Sequence, residues 1–184
     1  PMPGFEEARE MAREVGPGES TYTEYDRGIA SEASKWLRQS PKALKDKPWA
    51  LFVSFISPHY PLIAPQEFFD LYSNAPMPET IAGGHNQKPD HPVLKEMAKF
   101  WDYDSHFDEE TRDRAKRSYF GLCSFLDDNI RQVLEALEDS GSARDTVVIY
   151  ITDHGEMLGN HGFWAKSVMY EDAVGIPLIM AGNE

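Results

Sequence analysis

The sequence contains very little cysteine and has a shortage of positive charge. A single cysteine, Cys123, is present among 184 residues, so the chain cannot form an internal disulfide. There are 18 lysines and arginines against 31 aspartates and glutamates, which gives a formal net charge of -13. A surface of this sign repels nucleic acids and anionic membranes, so we expect neither as a partner. An anionic substrate must then be held by a few local cations or by a metal ion.

Long apolar runs and a common metal-binding motif are also absent. No run approaches the roughly 20 apolar residues that a membrane-spanning helix needs. The sequence His-Glu-x-x-His does not occur, which excludes the zinc peptidases that use it. The chain has no internal repeat and no low-complexity segment, so we expect residues 1–184 to belong to one domain.

Three apolar runs and one long helical segment predict the fold class. Trp49–Ser57 and Thr146–Thr152 are rich in β-forming residues, which is typical of strands buried on both faces of a parallel sheet. A third run, "GIPLIMAG", covers Gly175–Gly182. Phe107–Ser140 has apolar residues at three- and four-residue steps and predicts a long helix, which Gly141 ends. This order indicates an α/β fold with a mostly parallel sheet flanked by helices.

Two other helices and a long insert complete the prediction. Asp26–Gln39 has the apolar spacing of an amphipathic helix, and Gln66–Ser73 predicts a short one. Asn74–Ser105 contains proline, glycine, histidine and tryptophan without a regular period. Loops of that length are uncommon unless they have a function, so we expect an irregular insert that contributes to the site.

Polar side chains follow two of the predicted strands. His59 follows the first strand, and Asp153 and His154 follow the second. Ligands of open α/β sheets bind beyond the carboxyl ends of the strands, so we expect these side chains to converge. A carboxylate and an imidazole are acceptable metal ligands, and Gly155 would let backbone approach a ligand closely. Lys166 follows the apolar residues Trp164 and Ala165 and is a candidate for binding an oxyanion.

Each of these residues also has a structural interpretation that the sequence leaves open. Asp153 and His154 could form a turn or a helix N-cap, and two ligands alone do not make a metal site. His59 lies between two nearby prolines and could occupy a rigid turn. A lone lysine such as Lys166 is most often solvated at the surface.

The sequence gives weaker support for a functional role of the other candidate residues. Cys123 lies on the apolar face of the long helix and has no basic neighbour in sequence, so we expect a buried hydrophobe rather than a nucleophile. His161 could be a hydrogen-bond partner of the site residues. Three more histidines, in the insert or directly after it, could line a substrate entrance: His85, His91 and His106.

Three blocks of sequence, taken together, resemble the sulfatase family of the alkaline-phosphatase superfamily. They are "FVSFISPHYPLIAPQEF", "RSYFGLCSFLDDNIRQVLEAL" and "DTVVIYITDHGEMLGNHGFWAKSVMYEDAVGIPLIM", in the family's order. They cover Trp49 to Met180 apart from the insert. The Asp-His pair is similar to that of choline-sulfatase-like and iduronate-sulfatase-like enzymes, whereas many arylsulfatases carry Asp-Asn. The resemblance implies an alkaline-phosphatase-like α/β domain.

The resemblance also implies a role for each site residue. Asp153 and His154 match ligands of a divalent metal ion, usually calcium, and His154 lies close to the sulfate oxygens. Lys166 matches the lysine that binds the sulfate group. His59 matches the histidine that touches the ester oxygen and protonates the leaving group. The implied activity is hydrolysis of a small-molecule sulfate monoester.

The sequence departs from the family's pattern in one important respect. Family members carry a Cys/Ser-x-Pro-x-Arg motif, whose first residue becomes the formylglycine nucleophile, and an early Asp-Asp metal pair; neither is in these 184 residues. The resemblance therefore implies a C-terminal portion of one catalytic domain, with the nucleophile supplied by a segment outside this chain. A phosphonate or phosphate ester hydrolase of the same superfamily and a non-catalytic domain remain alternatives.

Overall fold

The computed structural model describes residues 10–44, 47–81 and 90–182. In chain order, the strands and helices are β1 (Val15–Pro17), α1 (Thr21–Leu44), β2 (Leu62–Ala64), α2 (Gln66–Asp70), α3 (Pro92–Phe100), α4 (Glu109–Ser140), β3 (Val148–Ile151), α5 (Glu171–Val174) and β4 (Leu178–Ala181). Short 3₁₀ turns lie at Asp104–His106, Ala143–Asp145 and Asn160–Gly162. No helix among the described residues is long and apolar enough to cross a bilayer.

The long helix α4 has well-formed ends. The Asp108 side chain accepts a hydrogen bond from the Thr111 amide at 2.8 Å, which makes Asp108 the N-cap. Gly141 follows the last residue with φ 78°, the left-handed conformation that glycine adopts easily. The predicted helix over Phe107–Ser140 is confirmed, with its first residue, Glu109, two residues later than predicted.

Helix α1 packs along α4 through small and branched side chains. Leu37 of α1 packs with Ala136 and Leu137 of α4, and Ala30 and Ala33 of α1 are also buried. The predicted helix Asp26–Gln39 lies inside α1, which is longer at both ends. The two longest helices thereby form one layer of the fold.

The strands β1 and β2 lie over the first half of α4. They pair in parallel, with Val15 opposite Leu62 and Pro17 opposite Ala64. Leu62 and Ala64 belong to a core cluster with Phe107 and residues of α4. This core includes Trp164, which, as described below, anchors the segment that carries Lys166.

The first predicted strand, Trp49–Ser57, is wrong. The segment is irregular, and no strand among the described residues pairs with it. The amides of Ile56 and Ser57 instead donate to the side chain of Asp26. Without a neighbouring strand on the apolar side, Phe52 is 89% exposed. An apolar run alone does not form a strand, because the backbone also needs a ladder partner.

The second and third apolar runs form strands, but not buried parallel ones. Strands β3 and β4 pair antiparallel, and the two-stranded β3–β4 sheet is separate from β1–β2. Ile149 and Ile151 on β3 are each 56% exposed. The expected burial of Thr146–Thr152 on both faces is therefore wrong within the described residues.

The insert at Asn74–Ser105 is only partly irregular, because it contains α3. Its residues 82–89, including His85, lie outside the described residues. The described beginning is tied to α4 by the buried Lys116, whose ammonium donates to the Pro78 carbonyl at 2.6 Å and to the Thr80 hydroxyl at 2.9 Å. Burial, and then the charge of Arg112, lower the pKa of Lys116.

A pair of helical glycines provides a test of this packing. A Cβ added at Gly121 of α4 would lie 3.0 Å from the Ala64 Cβ and 3.2 Å from the Phe69 backbone nitrogen, whereas one at Gly28 of α1 would meet nothing within 4 Å. Gly28→Ala should raise the free energy of unfolding by about 0.5–1 kcal/mol. Gly121→Ala should lower it, because overpacking against backbone costs about 1–3 kcal/mol and exceeds the gain in helix propensity.

Denaturant unfolding of the two variants beside the unsubstituted protein measures both effects. Equal stabilisation by the two substitutions would contradict the close packing of α4 on β2 and α2.

Candidate active site

A short turn presents His59. The His59 amide donates to the Ile56 carbonyl at 3.0 Å, which closes the turn. Asp26, fully buried on α1, accepts hydrogen bonds from the Ile56 and Ser57 amides, each at 2.8 Å. The peptide bonds Ser57–Pro58 and Tyr60–Pro61 are cis. The His59 side chain itself is exposed.

The loop after β3 presents Asp153 and His154. The Asp153 side chain is 87% exposed, whereas that of His154 is 27% exposed. An Asp153 carboxylate oxygen lies 3.8 Å from His154 Nε2. Gly155 packs against backbone rather than a ligand: a Cβ there would lie 2.0 Å from the Asp172 carbonyl oxygen, and its amide donates to the Ala173 carbonyl at 2.9 Å. Gly155 therefore lets the loop pack closely against the backbone of α5.

Lys166 follows a strongly anchored tryptophan. Trp164 is 3% exposed and stacks on Phe107, with ring centroids 3.7 Å apart at an angle of 12°. Its indole N–H donates to Asp104 at 3.0 Å, and Asp104 also pairs with Arg112 at 2.7 Å. The Lys166 side chain thus extends from a rigid base although the residue is exposed.

These segments bring the predicted residues together. Lys166 Nζ lies 2.7 Å from His59 Nε2. The rings of His59 and His154 meet edge to face, with centroids 6.0 Å apart. His154 is in turn beside Asp153. Four residues from two distant parts of the chain therefore form one cluster, which we call the His59–Lys166 cluster: His59, Asp153, His154 and Lys166.

Hydrogen bonds define which imidazole nitrogens are available. His59 Nδ1 lies 2.7 Å from the Tyr60 carbonyl, and His154 Nδ1 lies 2.7 Å from the Gly155 carbonyl. A carbonyl can only accept, so each Nδ1 carries the proton in the neutral ring. Each Nε2 then has a lone pair. That of His59 accepts from Lys166, and that of His154 faces Asp153.

The Asp153 and His154 side chains fit two positions of a metal site. Ligand atoms 3.8 Å apart can share one cation, because each oxygen or nitrogen lies about 2.0–2.6 Å from the ion. The backbone hydrogen bond at Nδ1 is the arrangement common for ligating histidines. Among residues 10–44, 47–81 and 90–182, no group of three or more ligating side chains is arranged around a metal position. A complete metal site would need further ligands.

Glu156 lies behind the cluster and was not predicted as a site residue. One oxygen of its carboxyl group accepts hydrogen bonds from the Leu158 amide at 3.1 Å and the Ala165 amide at 2.6 Å. Burial raises the pKa of Glu156, and these two amides and the nearby histidines partly oppose the increase. Asp26 was likewise missed. Its signal is the acid's position on the apolar stripe of α1, four residues before buried Ala30.

A cleft of about 840 Å³ opens beside the cluster. It lies between α4, the residues that lead to His59, and the β3–β4 sheet. Its walls are mainly apolar, but its lining includes four acidic residues: Asp127, Asp153, Glu156 and Asp172. An anion in this cleft would be repelled by these carboxylates.

The remaining candidates lie apart from the cluster. His161 stacks on Tyr170, with ring centroids 4.1 Å apart, and its amide donates to the Ile81 carbonyl. Cys123 lines the cleft from α4, and burial raises the pKa of its thiol to about 11, which disfavours the thiolate. His91 is the residue before α3, and His106 ends the 3₁₀ turn Asp104–His106.

Comparison with known proteins identifies the family. The sulfatase family profile matches residues 3–184. The chain is 33% identical to the choline-sulfatase of Rhizobium meliloti over 164 residues, which are 86% of this chain and 32% of that protein. It is 33% identical to human iduronate 2-sulfatase over 147 residues, which are 72% of this chain and 26% of that protein. The chain belongs to the sulfatase family.

A solved structure agrees in fold. The phosphonate monoester hydrolase of Silicibacter pomeroyi superposes with a TM-score of 0.66 at 28% identity, over 84% of this chain and 32% of that one. The alkaline-phosphatase-like α/β fold expected from the sequence is therefore confirmed. The chain spans about a third of the length of the relatives that it matches.

Proposed function

We propose that this chain forms part of the catalytic domain of a sulfuric ester hydrolase that acts on a small-molecule sulfate monoester. The observation that supports it most directly is the 2.7 Å contact between Lys166 Nζ and His59 Nε2, beside His154 and Asp153. A cation and an imidazole next to a pair of metal ligands are the groups that transfer of an anionic sulfuryl group requires.

Lys166 binds the sulfate group. Its ammonium is exposed and has no carboxylate within salt-bridge distance among the described residues, so its charge is available to a substrate oxygen. The four carboxylates around the cleft make this cation important, because they repel the sulfate group. A hydrogen bond from Lys166 also replaces part of the hydration that the anion loses on binding.

His59 assists the departure of the leaving group. When the ester anion takes the hydrogen bonds of Lys166, His59 Nε2 loses its present donor and can take up a proton from water, which makes the ring an imidazolium beside the anion. As the ester S–O bond breaks, that proton passes to the departing oxygen. Without it, the leaving group would depart as a poorly stabilised alkoxide or aryloxide.

Asp153 and His154 hold a divalent cation, for which we propose calcium. When bound, such an ion offsets negative charge on the sulfuryl oxygens. The carboxylate suits calcium, and the proposal of calcium rests on the family resemblance. The nucleophile, of the formylglycine type, is proposed to come from a segment outside these 184 residues, together with the other metal ligands.

A second activity has a specific observation in its favour. A phosphonate monoester hydrolase superposes on this chain at 28% identity, and phosphonate and sulfate esters present similar oxyanions to a lysine and a metal. The same cluster could therefore serve a phosphonate or phosphate ester. A non-catalytic domain that keeps the fold without the nucleophile is the third possibility, and the experiment below distinguishes all three.

The test compares kcat/KM for an aryl sulfate, an aryl phosphate and a phosphonate monoester. It uses the full-length protein, by which we mean the complete catalytic domain that contains this chain. Metal content is measured on the same sample. We expect calcium to be present and the sulfate ester to be preferred. Preference for a phosphorus ester would replace the proposal with the second activity. Absence of turnover by folded, metal-loaded protein would support the non-catalytic domain.

A further inference from the structure

We propose that two carboxyl groups, that of the buried Asp26 and that of the partly buried Glu156, are positioning residues that hold His59 and Lys166 in contact. Each lies behind one of the two segments that carry the pair. Each accepts two backbone N–H groups of its segment. The inference rests on the proposed function for its catalytic consequence, but its structural content can be tested separately.

Asp26 fixes the His59 turn from α1. Both of its oxygens are used, one by the Ile56 amide and one by the Ser57 amide. The residue is fully buried, so water cannot replace either hydrogen bond. Pro58 has no N–H, and the His59 amide is bonded to the Ile56 carbonyl. The amides of Ile56 and Ser57 thereby attach the turn to α1, directly before Pro58 and His59.

Glu156 fixes the Lys166 side of the pair. The loop from Leu158 to Ala165 contains three non-glycine residues with positive φ: Leu158 at 47°, His161 at 56° and Ala165 at 60°. Such residues are strained and persist only where other interactions impose their conformation. Glu156 accepts from the amides of Leu158 and Ala165, at the two ends of this loop. Ala165 immediately precedes Lys166.

The two anchors are independent in structure and similar in effect. Asp26 lies on α1, whereas Glu156 belongs to the loop after β3. The 2.7 Å contact between Nζ and Nε2 requires both segments to be placed correctly, because an error of 1 Å in either would break the hydrogen bond. A general acid and an oxyanion holder need this accuracy, and misplacement by about 1 Å can lower activity by roughly 10²-fold.

Asp26→Asn tests the first anchor. Asparagine has the shape of aspartate but turns one acceptor oxygen into a donor, which then faces a backbone N–H. In crystal structures of the full-length protein, we expect the distance between His59 Nε2 and Lys166 Nζ to exceed about 3.5 Å in the variant. The matched control is Asp139→Asn. It makes the same substitution in an exposed ion pair between Asp139 of α4 and Arg38 of α1. The control should keep the contact.

Two substitutions at Glu156 provide a second test, which does not depend on whether the Asp26 variant folds. Glu156→Gln keeps an acceptor oxygen for the Leu158 and Ala165 amides, so the contact and kcat/KM should be retained within about threefold. Glu156→Ala removes the acceptor and should lengthen the contact, with a loss of about 10²-fold in kcat/KM if the protein is a sulfatase.

The distance between His59 Nε2 and Lys166 Nζ tests the positioning role, and the hydrolysis of a sulfate ester tests the proposed function. A contact that stays at hydrogen-bond length in both Asp26→Asn and Glu156→Ala would overturn the positioning role, even if both variants unfold at lower temperature. A lengthened contact in a protein that hydrolyses no sulfate ester would support the positioning role and contradict the proposed function.

Discussion

Replacing Lys166 with alanine should lower kcat/KM for an aryl sulfate by about 10²–10³-fold in the full-length protein, the range found when one oxyanion donor is removed. The side chain is exposed and its described polar contact is with His59, so the fold does not depend on it. The melting temperature should therefore change little while activity is lost. Steady-state kinetics and thermal unfolding on the same preparation measure both quantities.

The control for this prediction is Lys99→Ala on α3. Lys99 is an exposed lysine paired with Glu96 within one helix, and its removal takes away the same charge from the protein. We expect kcat/KM within about twofold of the unsubstituted enzyme, because surface pairs of this kind contribute little. Equal losses for the two variants would show that Lys166 acts only through net charge, and a loss below about tenfold for Lys166→Ala would contradict its role in binding the sulfate group.

Phe107→Ala should lower the free energy of unfolding by about 3–5 kcal/mol, the usual cost of removing a buried aromatic ring. Phe107 is completely buried and stacks on Trp164 at 3.7 Å. Its removal leaves a cavity beneath the indole that anchors the Lys166 segment. We therefore expect a second effect, a loss of sulfate ester hydrolysis under conditions where the variant is still folded. Denaturant unfolding gives the first quantity and kinetics at low temperature the second.

Phe100→Ala is the matched control. Phe100 ends α3 and is 57% exposed, so its removal should cost about 1 kcal/mol or less. Similar costs for the two phenylalanines would mean that the stack of Phe107 on Trp164 is not a central part of the core. A large loss of stability without loss of activity would separate that stack from the site.

The helices could be predicted because their information is local. The apolar period of α4, its N-cap Asp108 and the glycine after its last residue are all visible within one segment. The strand prediction at Trp49–Ser57 failed because a strand depends on a partner elsewhere in the chain, which an apolar run does not reveal. The described segment is held by Asp26 instead of by a ladder.

The site was predictable in part. His59, Asp153, His154 and Lys166 were found because polar residues beyond apolar runs are conspicuous, and the structure places them together. Their roles remain proposals. Glu156 was missed because nothing in the sequence distinguishes it among 31 acidic residues, and the place of Asp26 on the apolar stripe of α1 does not reveal which groups it binds. The positioning role proposed for them depends on backbone amides that become neighbours only after folding.

The central claim is that Lys166 and His59 act on one substrate group as a pair, and a double-mutant cycle tests it most directly. kcat/KM for an aryl sulfate is measured for the unsubstituted full-length protein, Lys166→Ala, His59→Ala and the double variant. Because the two side chains are 2.7 Å apart, the account predicts strong non-additivity, with the double variant losing much less than the product of the two single losses. Losses that multiply independently would contradict the account.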